Sequence, residues 1–370
     1  MNRHTARTLT ISLGVALLAP LTLTPSVALA QPAASPPPVS GEPEDGGAAN
    51  APLVGEMTAE LDAAVSSGLA YLAQLQADDG SFDGARYGKN VAITAVAGLA
   101  FMADGHVPGR GEYGDLIDRG IDFVLANAAE NGLIASDSAN GPMYGHGFAT
   151  LFLGEVYGMT GGASSARDRK IHETLVKAVR LIERSQNQEG GWRYNPVPYD
   201  ADASVTVCQV MALRSARNAG IEVSADTINR AVEYIRQCQN VDGGFKYQIE
   251  GGASAWPRTA AGVATLFYAG FYTDEAIDRG LAYLVREALP ASGKPLQAHY
   301  FYGQYYAVQA NYLAGGEAWA RWWPAIRTEL LESQNDDGSW ADRSVGPAYG
   351  TAMSLIVLQM PKRYLPIFQK

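Results

Sequence analysis

Two patterns of apolar residues alternate along the chain and predict two kinds of helix. Segments such as 228–238 are apolar on one face only, which predicts helices at the protein surface. Segments such as 204–219 are apolar on nearly all faces and rich in small residues, which predicts buried helices whose backbones approach closely. The predicted outer helices are 58–76, 115–128, 167–186, 224–239, 273–288 and 317–334. The predicted inner helices are 90–104, 146–160, 203–219, 258–270, 299–314 and 349–360.

A short phrase follows the outer helices and divides the chain into repeats. It contains Gln, an acidic residue, Gly and an aromatic residue in register, in the copies Gln76–Phe82, Gln186–Trp192, Gln239–Phe245 and Gln334–Trp340. The middle two copies set a repeat of about 50 residues, so each longer interval needs one degenerate copy, which we place at 130–133 and near 290–293. The Gly suits the left-handed backbone at a helix C-terminus, and the aromatic residue packs between hairpins. The sequence therefore predicts an all-α protein of six helical hairpins.

The phrase and its spacing resemble the QW-type repeat of terpenoid cyclases and protein prenyltransferase β subunits. The resemblance covers essentially all of 58–360. It implies an α/α toroid, in which six inner and six outer helices form two concentric rings around a cavity. Because this fold hosts several chemistries, the resemblance does not by itself assign an activity.

The N-terminus has the pattern of a signal peptide. Arg3 and Arg7 precede an apolar run over 9–23, and an Ala-Leu-Ala stretch ends at Ala30. We expect residues 1–30 to be a signal peptide that is cleaved after Ala30, with export to the periplasm or the outside. An uncleaved anchor is the alternative, but the run is shorter than the roughly 20 residues that a membrane span needs.

Composition separates a leader from one folded domain. Residues 31–55 are rich in Pro, Ala, Gly and Ser and predict a disordered leader, whereas 56–370 predict a single toroid domain with six repeats. The chain is 47% apolar with a net charge of -10 and has no stripe of Lys and Arg, which argues against nucleic-acid binding. No later segment is long and apolar enough to cross a bilayer, so we expect no integral membrane protein.

An acidic pair stands where the third inner helix begins. The stretch 199–206 is similar to the Asp-x-Asp-Asp motif with which class II terpene cyclases protonate an alkene or epoxide. The resemblance implies that Asp202 is the proton donor and Asp200 its supporting carboxylate, while Ala203 replaces the third acid of the motif. The alternative is structural, because an Asp or Ser at this position commonly caps a helix.

The two cysteines bear on a metal site and on a disulfide. A prenyltransferase-like zinc site needs Asp, Cys and His, but neither Cys208 nor Cys238 lies in an Asp-x-Cys pair. We therefore expect neither metal nor cofactor, and no protein prenyltransferase activity. Cys208 is near the start of an inner helix and Cys238 at the end of the next outer helix, so antiparallel packing brings both to one end of a hairpin. In an oxidising compartment this favours a disulfide; two buried free thiols are the alternative.

Aromatic and polar residues cluster at the starts of the inner helices. If these helix starts converge on the mouth of the toroid, they line an opening whose aromatic faces stabilise carbocations or bind apolar chains. Core packing is the alternative for each Tyr, and a structural role is the alternative for each His. The predicted lining residues are Trp256, Arg258, His299, Tyr300, Tyr302, Tyr305, Tyr349, Tyr144 and His146.

Two functional hypotheses remain open from the sequence. The first is an isoprenoid-handling enzyme of the terpene-cyclase type, which cyclises or isomerises its substrate after protonation by Asp202. The second is a non-catalytic binding or scaffold module for a peptide, lipid or glycan. The expected ligand is an apolar isoprenoid or a peptide. A carbohydrate enzyme would need paired carboxylates across the cavity, and the sequence offers no convincing pair.

Overall fold

A computed structural model describes residues 56–136, 141–161, 165–291 and 298–369. All of them belong to one compact unit, Gly47–Lys370. The predicted signal peptide and the leader 31–55 lie outside the described residues, as does part of the predicted repeat copy near 290–293.

The described residues form twelve α-helices and no β-strand, which confirms the all-α prediction. The outer helices are α1 (Ala59–Gln74), α3 (Gly114–Ala126), α5 (Ala166–Ser185), α7 (Ala225–Gln237), α9 (Glu275–Ala288) and α11 (Gly316–Ser333). The inner helices are α2 (Val91–Ala103), α4 (Met143–Thr160), α6 (Ala203–Asn218), α8 (Trp256–Tyr268), α10 (Tyr300–Ala314) and α12 (Pro347–Leu358).

The inner helices close into a ring inside the outer ones. Each inner helix packs against the next along the chain, from α2 through α4, α6, α8 and α10 to α12, and α12 packs back against α2. Each outer helix packs on the inner helix before it, and α1 completes the outer ring by packing on α12. This arrangement is the predicted α/α toroid.

Small residues allow the inner helices to pack closely. A Cβ atom at Gly98 of α2 would lie 2.5 Å from the ring of Phe152 on α4. A Cβ atom at Gly154 of α4 would lie 2.4 Å from Ser215 Oγ on α6. The density of Gly and Ala in the inner segments is therefore a requirement of the inner ring, as their sequence pattern indicates.

The turns between outer and inner helices share one hydrogen-bond pattern. In the third turn, Asn187 N donates to Gly191 O and Gly190 N donates to Asn187 O. Gly190 has φ +101°, and a Cβ atom there would lie 2.2 Å from Arg230 O on the next outer helix. The same pair of bonds is present in the turns that contain Gly80, Gly132, Gly243 and Gly338. The degenerate copy at 130–133 therefore has the backbone structure of the clear copies.

The Gln of the phrase joins each hairpin to the next one. Gln186 Nε2 donates to Gly190 O at 2.7 Å and to Thr227 O of α7 at 2.9 Å. Gln334 makes the equivalent bonds to Gly338 O and to Ala64 O, both at 2.9 Å. Because Ala64 lies on α1, this last copy links the end of the chain to its beginning.

The C-terminal tail covers the C-terminal ends of two inner helices. The short 3₁₀ helix Pro366–Phe368 packs on α4 and α6. Ile367 N donates to Glu155 Oε2 at 3.0 Å, and Glu155 Oε1 accepts from Ser215 Oγ at 2.7 Å. The opposite, N-terminal ends of the inner helices are where the candidate site lies. Among the described residues, no helix is long and apolar enough for a membrane span.

Candidate functional site

A cavity of about 1010 Å³ lies at the N-terminal ends of the inner helices, and all six of them contribute to it. This volume is at the upper end of the range for small-molecule sites. Part of the predicted aromatic set lines it directly, namely Tyr144, Trp256, Arg258, His299, Tyr302 and Tyr349.

Other members of that set lie beneath the lining. Tyr305 is fully buried, its ring packs edge-on against Phe148 at 6.0 Å, and its hydroxyl contacts Met211 Sδ at 3.4 Å. Phe148 itself lines the cavity, so Tyr305 supports the floor without being part of it. Tyr300 is buried against Phe301, with ring centroids 5.2 Å apart, and does not line the cavity either.

His146 has a structural position in the wall of the toroid. Ile134 N donates to its Nδ1 at 3.1 Å, so the neutral ring carries its proton on Nε2, which faces Ala178 O at 3.3 Å. Burial lowers the pKa of His146 to about 4, which keeps the ring neutral. In the third repeat, Thr206 Oγ1 accepts the corresponding bond, from Trp192 N. His146 thus takes the place of a repeat threonine and lies outside the cavity lining.

Several lining residues were missed by the sequence analysis: Arg86, Tyr87, Asn90, Tyr194, Asn195 and Tyr247. Tyr194 and Tyr247 each stand two residues after the aromatic residue of a repeat phrase. Aligning the third and fourth repeats with each other would have shown that both have a Tyr at this position.

Asp202 caps the N-terminus of α6. Its Oδ1 accepts hydrogen bonds from Ser204 N at 2.8 Å and Val205 N at 2.9 Å, and its Oδ2 accepts one from Tyr247 Oη at 3.2 Å. The side chain is fully buried and absent from the cavity lining. Burial outweighs these hydrogen bonds and raises its pKa to about 6. The cap expected from the structural alternative is therefore present, and the hydroxyl of Tyr247 stands between this carboxylate and the cavity.

Asp200 is separated from Asp202 by an arginine. Arg193 forms an ion pair with Asp200, and Arg193 Nε lies 3.8 Å from Asp202 Oδ2. Asp200 is partly exposed and does not line the cavity. The two acids of the predicted motif are thus bridged by a cation, and neither carboxylate reaches the cavity.

Two tyrosines connect Asp202 to the cavity. The hydroxyls of Tyr247 and Tyr194 are hydrogen-bonded to each other, and both residues line the cavity. Burial, above all other causes, raises the pKa of Tyr247 well above its ordinary value, so its hydroxyl keeps its proton. The result is a hydrogen-bonded chain from a buried carboxylate through Tyr247 to Tyr194.

Cys208 and Cys238 are buried free thiols in the structure, in place of the predicted disulfide. Cys208 Sγ lies 4.0 Å from Tyr144 O of α4 and is near Tyr306 of α10, whereas Cys238 is near Tyr234 of its own helical turn. The two thiols face different neighbours, and burial raises the pKa of each to about 12. Within the described ranges, no cluster of three or more His, Cys, Asp or Glu side chains could hold a metal ion.

The sequence matches the family model "Squalene-hopene cyclase C-terminal domain" over residues 164–303, which is less than half of the chain. No curated protein sequence matches the chain.

Solved structures share the fold at low sequence identity. The type II terpene cyclase MstE from Scytonema is 15% identical, with a TM-score of 0.57 over 83% of this chain and 100% of the cyclase. The same cyclase has been solved in a variant form with its substrate, geranylgeranyl dihydroxybenzoate. Cellobiose 2-epimerase from Bacillus thermoamylovorans is 12% identical, with a TM-score of 0.61 over 83% of this chain and 100% of the epimerase.

A protein from Actinoplanes is 17% identical, with a TM-score of 0.56 over 82% of this chain and 99% of its own. The TM-scores establish a common fold, and identities this low leave the activity open. The chain therefore has the terpenoid-cyclase-like α/α-toroid fold that its repeats predict.

Proposed function

We propose that the toroid binds an apolar, isoprenoid-type ligand in the cavity at the N-terminal ends of its inner helices, and that it acts as a binding module. The proposal rests on one observation: the carboxylate of Asp202 is separated from the cavity. Asp202 is fully buried behind the lining and caps α6, whereas aromatic faces such as those of Trp256, Tyr144 and Tyr302 line the cavity.

The acidity of the groups near the cavity supports binding of the ligand over its cyclisation. Protonation of an alkene requires a strong acid close to the double bond. Asp202 has its pKa raised to about 6, and Tyr247, which lies nearer to the cavity, has a pKa raised above the ordinary tyrosine value. Neither group is a strong acid at the cavity. Hydrolysis of a glycosidic bond is not favoured either, because no described lining residue is Asp or Glu.

The ligand class is supported by the lining and by the structural neighbours. Flat aromatic faces suit an unsaturated apolar chain, and a cavity of this volume accommodates a molecule of that kind. The neighbouring cyclase carries a geranylgeranyl-bearing substrate in the same fold. For this chain, geranylgeraniol is a suitable neutral probe. The N-terminal sequence supports the further proposal that binding takes place after export.

Titration of the purified protein with geranylgeraniol, followed by tryptophan fluorescence, tests the proposal. We expect saturable binding that Trp256→Leu weakens by roughly 2- to 10-fold, because one aromatic contact is lost. Tyr272→Leu serves as the control, since Tyr272 is partly exposed and outside the lining. The absence of saturable binding, or an equal loss in both variants, would overturn the proposal.

Cyclisation is the second candidate, and one contact favours it. Tyr247 lines the cavity and is bonded to Asp202, so a protonated Asp202 has a route into it. Asp202 would pass its proton to the Tyr247 oxygen while the Tyr247 hydroxyl proton moves to an alkene carbon, whose π electrons form the new C–H bond. Mass spectrometry of the incubated prenol decides between the candidates. A cyclised product from the wild type that Asp202→Asn abolishes would refute the binding-only proposal.

A further inference from the structure

Two arginine side chains line the cavity without an acidic partner. Arg258 lies in the first turn of α8, and Arg86 lies in the short 3₁₀ helix Ala85–Tyr87 that precedes α2. Neither forms an ion pair with any residue that the structure describes, and the described lining contains no carboxylate. The chain as a whole carries a net charge of -10, so the cavity has a charge opposite in sign to that of the protein.

Arg258 has donor capacity that the protein does not use. Its Nη2 donates to Ala253 O at 2.9 Å, whereas its Nε is buried and has no hydrogen-bond partner among the described residues. Its guanidinium carbon lies 5.9 Å from the ring centroid of Tyr247, and Trp256 lines the same region. Arg258 as a whole is partly exposed at the cavity, so an acceptor on the ligand can reach the open part of its guanidinium. The planar guanidinium matches the oxygens of a carboxylate or phosphate.

Arg193 differs from Arg258 in having an acidic partner, although its Nε, like that of Arg258, has no hydrogen-bond partner among the described residues. It is absent from the cavity lining, and Asp200 neutralises it in a direct ion pair. Arg258, which lines the cavity, has no acidic partner, whereas Arg193, which lies behind the lining, is neutralised by Asp200. An anionic group on the ligand would neutralise Arg258 as Asp200 neutralises Arg193.

We infer that Arg258 binds an anionic group, a carboxylate or a phosphate, at one end of the ligand. The ligand of the cavity is then an anionic amphiphile, whose apolar part lies on the aromatic faces and whose charged end meets Arg258. This inference rests on the proposed binding function and names the ligand class for the same site.

Arg86 provides a matched control. It carries the same charge in the same cavity, but it belongs to the first repeat, and α2 and α8 stand opposite each other in the inner ring. Arg86 is exposed, and its Nη2 bonds to the hydroxyl of the adjacent Tyr87 at 2.6 Å. Arg86→Gln and Arg258→Gln therefore remove equal charge, and the two variants differ in the position of the lost cation.

The test compares three probes of one chain length on the full chain and both variants: geranylgeraniol, geranylgeranoic acid and geranylgeranyl phosphate. We expect at least one anionic probe to bind more tightly than the alcohol. Arg258→Gln is expected to weaken that anionic probe by about 10- to 100-fold, the effect of one hydrogen-bonded charge. Its affinity for the alcohol should fall far less than its affinity for the anionic probe, and circular dichroism checks separately that the variant is folded. Arg86→Gln should have a much smaller effect.

Each outcome has a defined meaning. Preference for the acid over the phosphate, or the reverse, identifies the anionic group. Equal binding of alcohol and anions, or an Arg258→Gln variant that keeps the preference, overturns the anion site and leaves the proposed function intact. Equal losses in both variants also overturn it, because a general positive field would then explain the preference. If none of the probes binds, the proposed function fails and the inference falls with it.

Discussion

Glu155 offers a quantitative test of the electrostatics inside the toroid. Its carboxylate is buried at the far end from the cavity, where it accepts hydrogen bonds from Ser215 Oγ and from Ile367 N of the C-terminal tail. Burial is the main cause that raises its pKa from 4.5 to about 7. Tyr268 and Tyr305 are the titratable groups that interact with it from α8 and α10, and both stay neutral because burial raises their pKa values well above 10.0.

The raised pKa makes Glu155 a pH-dependent cost to folding. Below pH 4.5 the carboxyl is protonated in both the folded and the unfolded chain, so its ionisation does not affect stability. Between pH 4.5 and about 7 only the unfolded chain releases the proton, and stability falls as pH rises. At about 1.4 kcal/mol per pKa unit, the total loss above pH 7 is about 3 kcal/mol.

Glu155→Gln should remove this cost. The amide oxygen can accept from Ile367 N, and the amide nitrogen can donate to Ser215 Oγ, whose own proton then bonds to Leu151 O. We expect the variant to match the wild type at pH 4.5 and to exceed its free energy of unfolding by up to about 3 kcal/mol at pH 8. Urea unfolding at pH 4.5, 6 and 8, followed by tryptophan fluorescence, measures the difference.

Glu173→Gln is the matched control, because it makes the same change on the exposed face of α5. His146 and Asp202 also titrate with shifted pKa values, but their contributions cancel when each variant is compared with the wild type at the same pH. A Glu155→Gln variant that is less stable than the wild type at pH 8, or whose advantage does not grow with pH, would refute the reasoning.

Three further predictions follow from the turns, the cap and the thiols. Gly190→Ala should destabilise the fold by about 3 kcal/mol or more in urea unfolding, since its Cβ would overlap Arg230 O, whereas Gly220→Ala, with φ +86° and open space around it, should cost only about 1 kcal/mol. Equal costs would contradict the close packing of the turn. Asp202→Ala should lose about 0.5–2 kcal/mol of unfolding free energy through the missing cap, and Asp202→Asn should retain most of it. Thiol titration of the denatured, non-reduced protein should find both cysteines free, and a count of zero would restore the disulfide.

The helices and turns could be predicted because their signals are local. The hydrophobic pattern indicates which helices are buried, and each clear copy of the seven-residue phrase contains its own Gln, Gly and aromatic residue. Even the degenerate copy with Gly132 could be placed, since the turn needs little beyond one residue with positive φ. Closure of the ring was implied by the resemblance to the QW-type repeat, since repeated helical hairpins also build open solenoids.

The candidate site could be predicted only in part, because the ring brings together loops that are far apart in sequence. His146 and His299 both stand near the start of an inner helix, yet Ile134 N bonds to the first and the second lines the cavity. The positions of the two histidines in the sequence therefore do not show which of them lines the cavity. Arg86 and Tyr247 lie in the connections between a turn and an inner helix, where no periodic pattern of apolar residues indicates which way a side chain points. Their place in the lining depends on contacts across the whole toroid.

Asp202 shows how one residue type at one position can lead to opposite functional predictions. Two backbone N–H donors and the helix N-terminus favour its ionised form, but burial has the larger effect and raises its pKa to about 6. At neutral pH the carboxylate is therefore mostly ionised, and Tyr247 donates its hydroxyl proton to it. That proton is held by a buried carboxylate, and the Tyr247 oxygen is also bonded to the hydroxyl of Tyr194, whereas a cyclase has to present an acidic proton to its substrate. The direction of this one hydrogen bond gives the binding proposal its chemical basis, and an acidic shift below pH 6 is the condition under which it would reverse.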